Sequence, residues 1–233
     1  MTETAVVTDF SVGDMWDKLP EYTAQAKALG VATKELYAAT TLYYQQGLDT
    51  NASMAAGIET MKMAKIAGME AADATDAMTA ALRGFNMEVN ETNAQRVNDV
   101  YSKLAAITAS DTEEIATAMS KTASIASSVG AEFENIAVFL AQGIETTRES
   151  ADAIGTALKT VLARFNELTK DPAEIVEVDG EIVNANKVDA ALKSVGISLL
   201  DANRQFRDAD EVLLEVAQKW DTMSIMQQRY IAT

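Results

Sequence analysis

Three groups of side chains in this chain have types and spacings that could do chemistry. Asp73 and Asp76 stand three residues apart, about one helical turn, as a magnesium-binding carboxylate pair would. A working site of that kind needs a second acidic motif on a facing helix, and the sequence offers no match. Capping of a helix N-terminus is the preferred reading. Asp201, Asn203 and Gln205 alternate like the opening of a calcium loop. That loop needs Gly at its sixth position and Glu at its twelfth, where Phe206 and Val212 stand, so a hairpin turn is preferred. Glu174, Glu177, Asp179 and Glu181 form an acidic run. A glycosidase would need two opposed carboxylates in a cleft, one with a raised pKa. An edge strand protected by charge is the simpler assignment.

The rest of the composition narrows the chemistry further. The 233 residues include no Cys and no His. Disulfides, thiolate or imidazole zinc sites, and any nucleophile–His dyad are therefore excluded. No catalytic, cofactor-binding or metal-ligating residue is assigned, and the chain is read as not an enzyme. The net charge is −16 and the pI about 4.4. Such a surface repels phosphates and anionic membranes, which disfavours sequence-independent nucleic-acid binding. The longest apolar stretch, Ile136 to Ala141, is far too short to span a bilayer. The first ten residues lack the basic and apolar regions of a signal peptide.

Hydrophobic residues make up 48% and charged residues 23%, which fits a folded domain rather than a disordered one. Two prolines and many helix formers predict a mainly α fold: an array of antiparallel helices and helical hairpins. Apolar periodicity predicts helices over Asp14–Leu29, Thr33–Gln46, Ala52–Ala67, Asp73–Arg83 and Glu91–Ala109. Gly30, Gly47, Gly68 and Gly84 follow helix ends, and Gly30-Val31, Gly68-Met69 and Gly84-Phe85 have the Schellman pattern. Val97, Val100, Tyr101, Leu104 and Ile107 share one face. Ser110 to Glu113 has capping-box spacing, with Ser110 as N-cap of a helix ending at Gly130. That helix is expected to bury Ile115, Met119, Ile125 and Val129. A short helix, Phe133–Gln142, is expected to stop at Gly143, followed by a long one over Thr147–Thr169. The clustered Met54, Met61, Met63, Met69 and Met78 are read as core filling in preference to a partner-binding patch.

Beyond Asp171-Pro172 the pattern changes. Residues 174–183 alternate around Asp179-Gly180, the signature of a hairpin with a type I′ turn. A short helix over Lys187–Ser194 and a second hairpin-like piece over Gly196–Asp208 follow. Helix returns over Ala209–Lys219 and again from Ser224. In that last helix Ile225, Met226, Tyr230 and Ile231 are expected to lack part of their partner surface. The predicted organisation is a lead-in over 1–12, a helical domain over 13–170, a small β-hairpin insertion over 171–208 (hairpins near 174–208), and terminal helices over 209–233, read as truncated.

From about Thr40 to Thr233 the chain resembles the core region of phage tail tape measure proteins. The likeness is carried by Ala67–Phe85, by Ser110–Gly130 running into Phe133–Phe165, and most specifically by Ala191–Thr233. Arg204 stands where that family commonly has Gly, and the first forty residues match less well. The resemblance implies a structural segment of a phage or prophage tail tape measure protein, of siphovirus-like tails, that templates tail tube assembly and sets tail length. It implies the virion tail lumen as location, and the host cytoplasm during assembly. The implied partners are the tail tube protein, tail assembly chaperones and tail-tip or baseplate proteins, with homo-oligomers in the tail and neither specific nucleic acid nor a membrane span. The alternatives are an acidic helical scaffold or adaptor of another injection or secretion machine, and a helical carboxylate enzyme.

Overall fold

The computed structural model describes residues 12–170, 175–178, 181–184, 187–203 and 205–231. Its helices are α1 (Val12–Leu29), α2 (Thr33–Gln45), α3 (Thr50–Ala67), α4 (Ala71–Gly84), α5 (Glu91–Ile107), α6 (Thr112–Ser128), α7 (Phe133–Thr147) and α8 (Ala151–Lys170). Two short strands, β1 (Ile175–Val178) and β2 (Glu181–Asn184), pair antiparallel with Val176 opposite Val183. The Asp179-Gly180 turn lies outside the described residues. Then come α9 (Lys187–Ser194), α10 (Ala209–Lys219), a 3₁₀ turn over Trp220–Thr222, and α11 (Ile225–Ile231). The chain is mainly α.

Two helices organise the packing. α3 touches α1, α2, α4, α5 and α6, while α6 touches α3, α4, α5, α7 and α8. Both are rich in Ala and other small residues, which lets their neighbours approach closely. A Cβ at Gly155 of α8 would lie 2.5 Å from the Ala118 carbonyl oxygen of α6, and Thr122 Oγ1 donates to the Gly155 carbonyl at 3.0 Å. One large core runs from Tyr22 to Leu162 and takes in Ala209. Met54, Met61, Met63 and Met78 are buried in it, as core filling requires, and Met69 packs against it. A second, small core joins Leu192, Ile197, Leu199, Val212 and Met223. The half-buried Phe165 of α8 packs against both.

The ends of the helices follow the expected chemistry with several corrections, among them that α8 begins at Ala151 and not at Thr147. After α1, Gly30 adopts φ 69°, and Val31 N–H reaches the Ala26 carbonyl at 3.0 Å, closing the Schellman motif. Gly84 is not a stop: it remains helical, and its lack of a Cβ admits α6, since a Cβ there would lie 2.5 Å from Ala123 Cβ. Asn86 takes the left-handed position instead, with φ 54°, and Met87 N–H bonds the Leu82 carbonyl at 2.8 Å. The capping box before α6 is shifted by one residue. Asp111 is the N-cap, accepting from Glu114 N–H at 2.8 Å, and Glu114 accepts from Asp111 N–H at 3.0 Å. Ser110 is buried and shares a hydroxyl bond with Thr108 at 2.6 Å.

Likewise α7 does not end at Gly143. It runs to Thr147, and Arg148 at φ 59° caps it. Gly143 serves contact, since a Cβ there would lie 3.0 Å from Ile154 Cγ2 of α8. Residues placed on apolar stripes are also less covered than expected, Val100 among them, which is only partly buried. Ile107 is 68% exposed because α5 ends there, and Ile125 is only partly buried. In α11, Ile225 and Met226 are exposed, whereas Ile231 packs against the small core.

Candidate functional site

Among the described residues the sequence-level constellations are not brought together. Asp73 and Asp76 are both exposed on α4. That helix starts earlier than its periodicity predicts, with Glu70 at the N-cap position, so Asp73 sits inside the first turn and interacts with the helix dipole rather than capping it. Asp201 spends Oδ1 on its own turn, accepting from the N–H groups of Asn203 and Gln205, each at 2.8 Å. The second hairpin-like piece reduces to one bridge between Leu200 and Phe206 around that turn. Glu177 and Glu181 lie on β1 and β2, and Glu174 and Asp179 lie outside the described residues. Among the described residues no group of three or more acidic side chains could hold a metal ion.

The polar groups that the structure does gather are ones the periodicity conceals. Glu59 of α3 is 2% exposed. Its carboxylate accepts from Lys62 Nζ and from Asn98 Nδ2 of α5, the latter at 3.0 Å, while the same amide also donates to the Glu59 carbonyl at 2.9 Å. Tyr43 and Thr60 share a hydroxyl bond at 2.6 Å, and Tyr22 and Tyr44 meet at 3.4 Å. A polar seam thus runs through the α1–α2–α3–α5 packing. Its signal in the sequence is a charged residue on an otherwise apolar helix face, which marks a site for a buried partner but cannot name that partner.

A second polar junction joins the small core to the large one. Asp210, in the first turn of α10, is 1% exposed. Its Oδ2 accepts from Glu132 N–H at 3.1 Å and Asn135 Nδ2 at 2.7 Å, so it caps the start of α7 from another helix. Beside it Ala209 N–H donates to the Val129 carbonyl at 3.1 Å. On the outside of α7, Arg96 grips Glu134 through two bonds of 2.6 and 2.7 Å. The pair raises the guanidinium pKa and lowers that of the carboxyl. Next to the Asp210 junction lies a cleft of about 330 Å³, walled by Val129, Phe165, Leu199, Phe206 and Ala209 and by the exposed carboxylate of Asp208.

The arrangement therefore provides helix packing, buried hydrogen bonds and a small cleft among the described residues. Among the described residues no helix is long and apolar enough to cross a membrane. The chain is 27% identical over 191 residues to the tape measure protein of Pneumococcus phage Dp-1, a match covering 80% of this chain and 15% of that relative. The chain thus spans a small part of the length of the curated relative it matches. No solved structure matches. The family model described as phage-related minor tail protein matches residues 32–233, most of the chain and nearly all of its packed helices, and the chain belongs to that family.

Proposed function

We propose that this chain is a structural segment of a phage tail tape measure protein, acting in the tail lumen after assembly in the host cytoplasm. It templates tail tube assembly and contributes to tail length. The observation that carries this reading is the family match over residues 32–233. The fold supports it in kind, because helices joined by tight caps form rigid rods linked by short joints. The tube subunit, assembly chaperones and tip or baseplate proteins are the partners this role requires.

Length is what such a role measures. A compact domain of this size has a radius of gyration of about 17 Å. The same chain drawn out as one helix would reach about 350 Å, at ~1.5 Å per residue. A narrow lumen favours the elongated form, and release from the tube permits compaction. An in-frame deletion of Thr147–Thr169 in the parent gene tests the reading. Tails imaged by electron microscopy should shorten by about 35 Å, the length of the deleted stretch drawn out as helix at ~1.5 Å per residue. Tails of unchanged length would assign the region to hub binding or assembly instead of the ruler.

A further inference from the structure

We infer that the cleft between the end of α6, α8, Leu199 and residues 205–209 is a docking site for a basic peptide segment of a partner protein, one that presents a Lys or Arg side chain beside an apolar side chain. The inference does not depend on the tape measure reading, because it rests on the chemistry of the cleft walls. Buried Val129, Leu199 and Ala209 and half-buried Phe165 provide apolar surface, and Phe206 stays 38% exposed at the rim. At about 330 Å³ the cleft is at the small end of ligand sites and accommodates one or two side chains, not a folded domain.

Asp208 supplies the polarity. It occupies the N-cap position of α10, where an Asp ordinarily accepts from the backbone of its own helix, yet its side chain makes no cap bond. Instead the carboxylate lies against the bare Cα of Gly130. No cation answers it among the described residues. Its neighbour Arg207 is committed elsewhere, donating to Glu215 at 2.7 Å and to the Ser198 carbonyl at 3.1 Å. Partial desolvation of this exposed group, with Asp210 and Glu211 nearby, holds the Asp208 carboxyl above its ordinary pKa. An ammonium or guanidinium at this position would relieve that unfavourable field. Phe165 and Phe206, both lining the cleft, supply aromatic surface for the cation and its aliphatic stem. An acidic ligand would add to the repulsion, and a neutral one would leave it uncorrected. The net charge of −16 steers basic segments toward the molecule as a whole.

Methyl NMR on the full chain tests this, reading Val129, Leu199 and Ala209 during titration with two capped peptides. The probes are acetyl-Leu-Lys-Leu-amide and its acetyl-Leu-Gln-Leu-amide counterpart. The Lys peptide should shift these methyls saturably and bind more tightly than the Gln peptide, by up to about five-fold, the most that one exposed ion pair allows. Asp208→Asn should erase that preference, and Phe206→Ala should weaken both peptides. Equal binding of the two peptides, shifts at methyls remote from the cleft, or a preference that survives Asp208→Asn would each overturn the proposal. The comparison of peptides on the unsubstituted chain decides the matter even if a variant folds poorly.

Discussion

Asn98 and Gly155 do work that their residue types alone do not announce. The Asn98 amide satisfies both the backbone and the carboxylate of buried Glu59, so replacing it strands a charge with reduced company. Asn98→Leu is expected to destabilise the fold by about 2–3 kcal/mol, read as a lower urea midpoint at unchanged slope. Gly155→Ala should also destabilise. Ala is favoured in a helix by about 1 kcal/mol, but the added methyl would meet the Ala118 backbone at 2.5 Å, and overpacking costs about 1–3 kcal/mol. A variant as stable as the parent would show that α6 and α8 can separate slightly without loss. The buried tyrosines set the alkaline limit. Burial pushes the Tyr43 hydroxyl up to about 12 and raises Tyr22 and Tyr101 further. A folded pKa above the unfolded value gives stability that is full below pH ~10 and falls as pH rises beyond it. Tyrosine ionisation, followed by absorbance, should therefore coincide with loss of helical circular dichroism above pH 10.

At the scale of elements, the junction between α5 and α6 separates two capping registers that the sequence makes equally plausible. Ser110-Asp111-Thr112-Glu113-Glu114 offers Ser with Glu113 or Asp with Glu114. The second is formed. Asp111→Ala should then cost about 1 kcal/mol and Glu114→Ala part of that, whereas Glu113→Ala should be near neutral. Thermal unfolding of the three variants checks the order, and a larger loss at Glu113 would restore the other register. The same register logic governs α11, where Ser224 and Gln227 bond each other's backbone in a box of their own.

For the molecule as a whole, the decisive feature is that two apolar cores meet at a narrow polar clasp. Asp210 bonds the start of α7, and Ala209 bonds Val129, while Phe165 lies between the cores. Asp210→Ala removes two hydrogen bonds to a buried carboxylate, worth about 2 kcal/mol. Hydrogen exchange should show α10 amides losing protection while those of α6 keep theirs. Uniform loss across both would mean that the cores unfold as one. The surface charge makes a second whole-molecule prediction. With few cations to release counterions, the chain should not shift duplex DNA at micromolar concentration in ordinary salt.

Local chemistry made the helical class, most helix boundaries, the left-handed glycine after α1 and the core role of the methionines legible in the sequence. Each depends on periodicity or on caps within a few residues, which neighbouring side chains determine by themselves. The absence of Cys and His likewise removed whole classes of chemistry before any fold was known. What only the tertiary structure decided was the meaning of residues with two uses. A glycine after an apolar helix can end it or can admit another helix, and Gly30 does the first while Gly84, Gly143 and Gly155 do the second. Asp208 and Asp210 look alike as acids at the start of α10, yet Asp210 caps a distant helix and Asp208 faces a cleft. The difference lies in which helix arrives alongside, a contact between residues some 75 positions apart that no local pattern encodes.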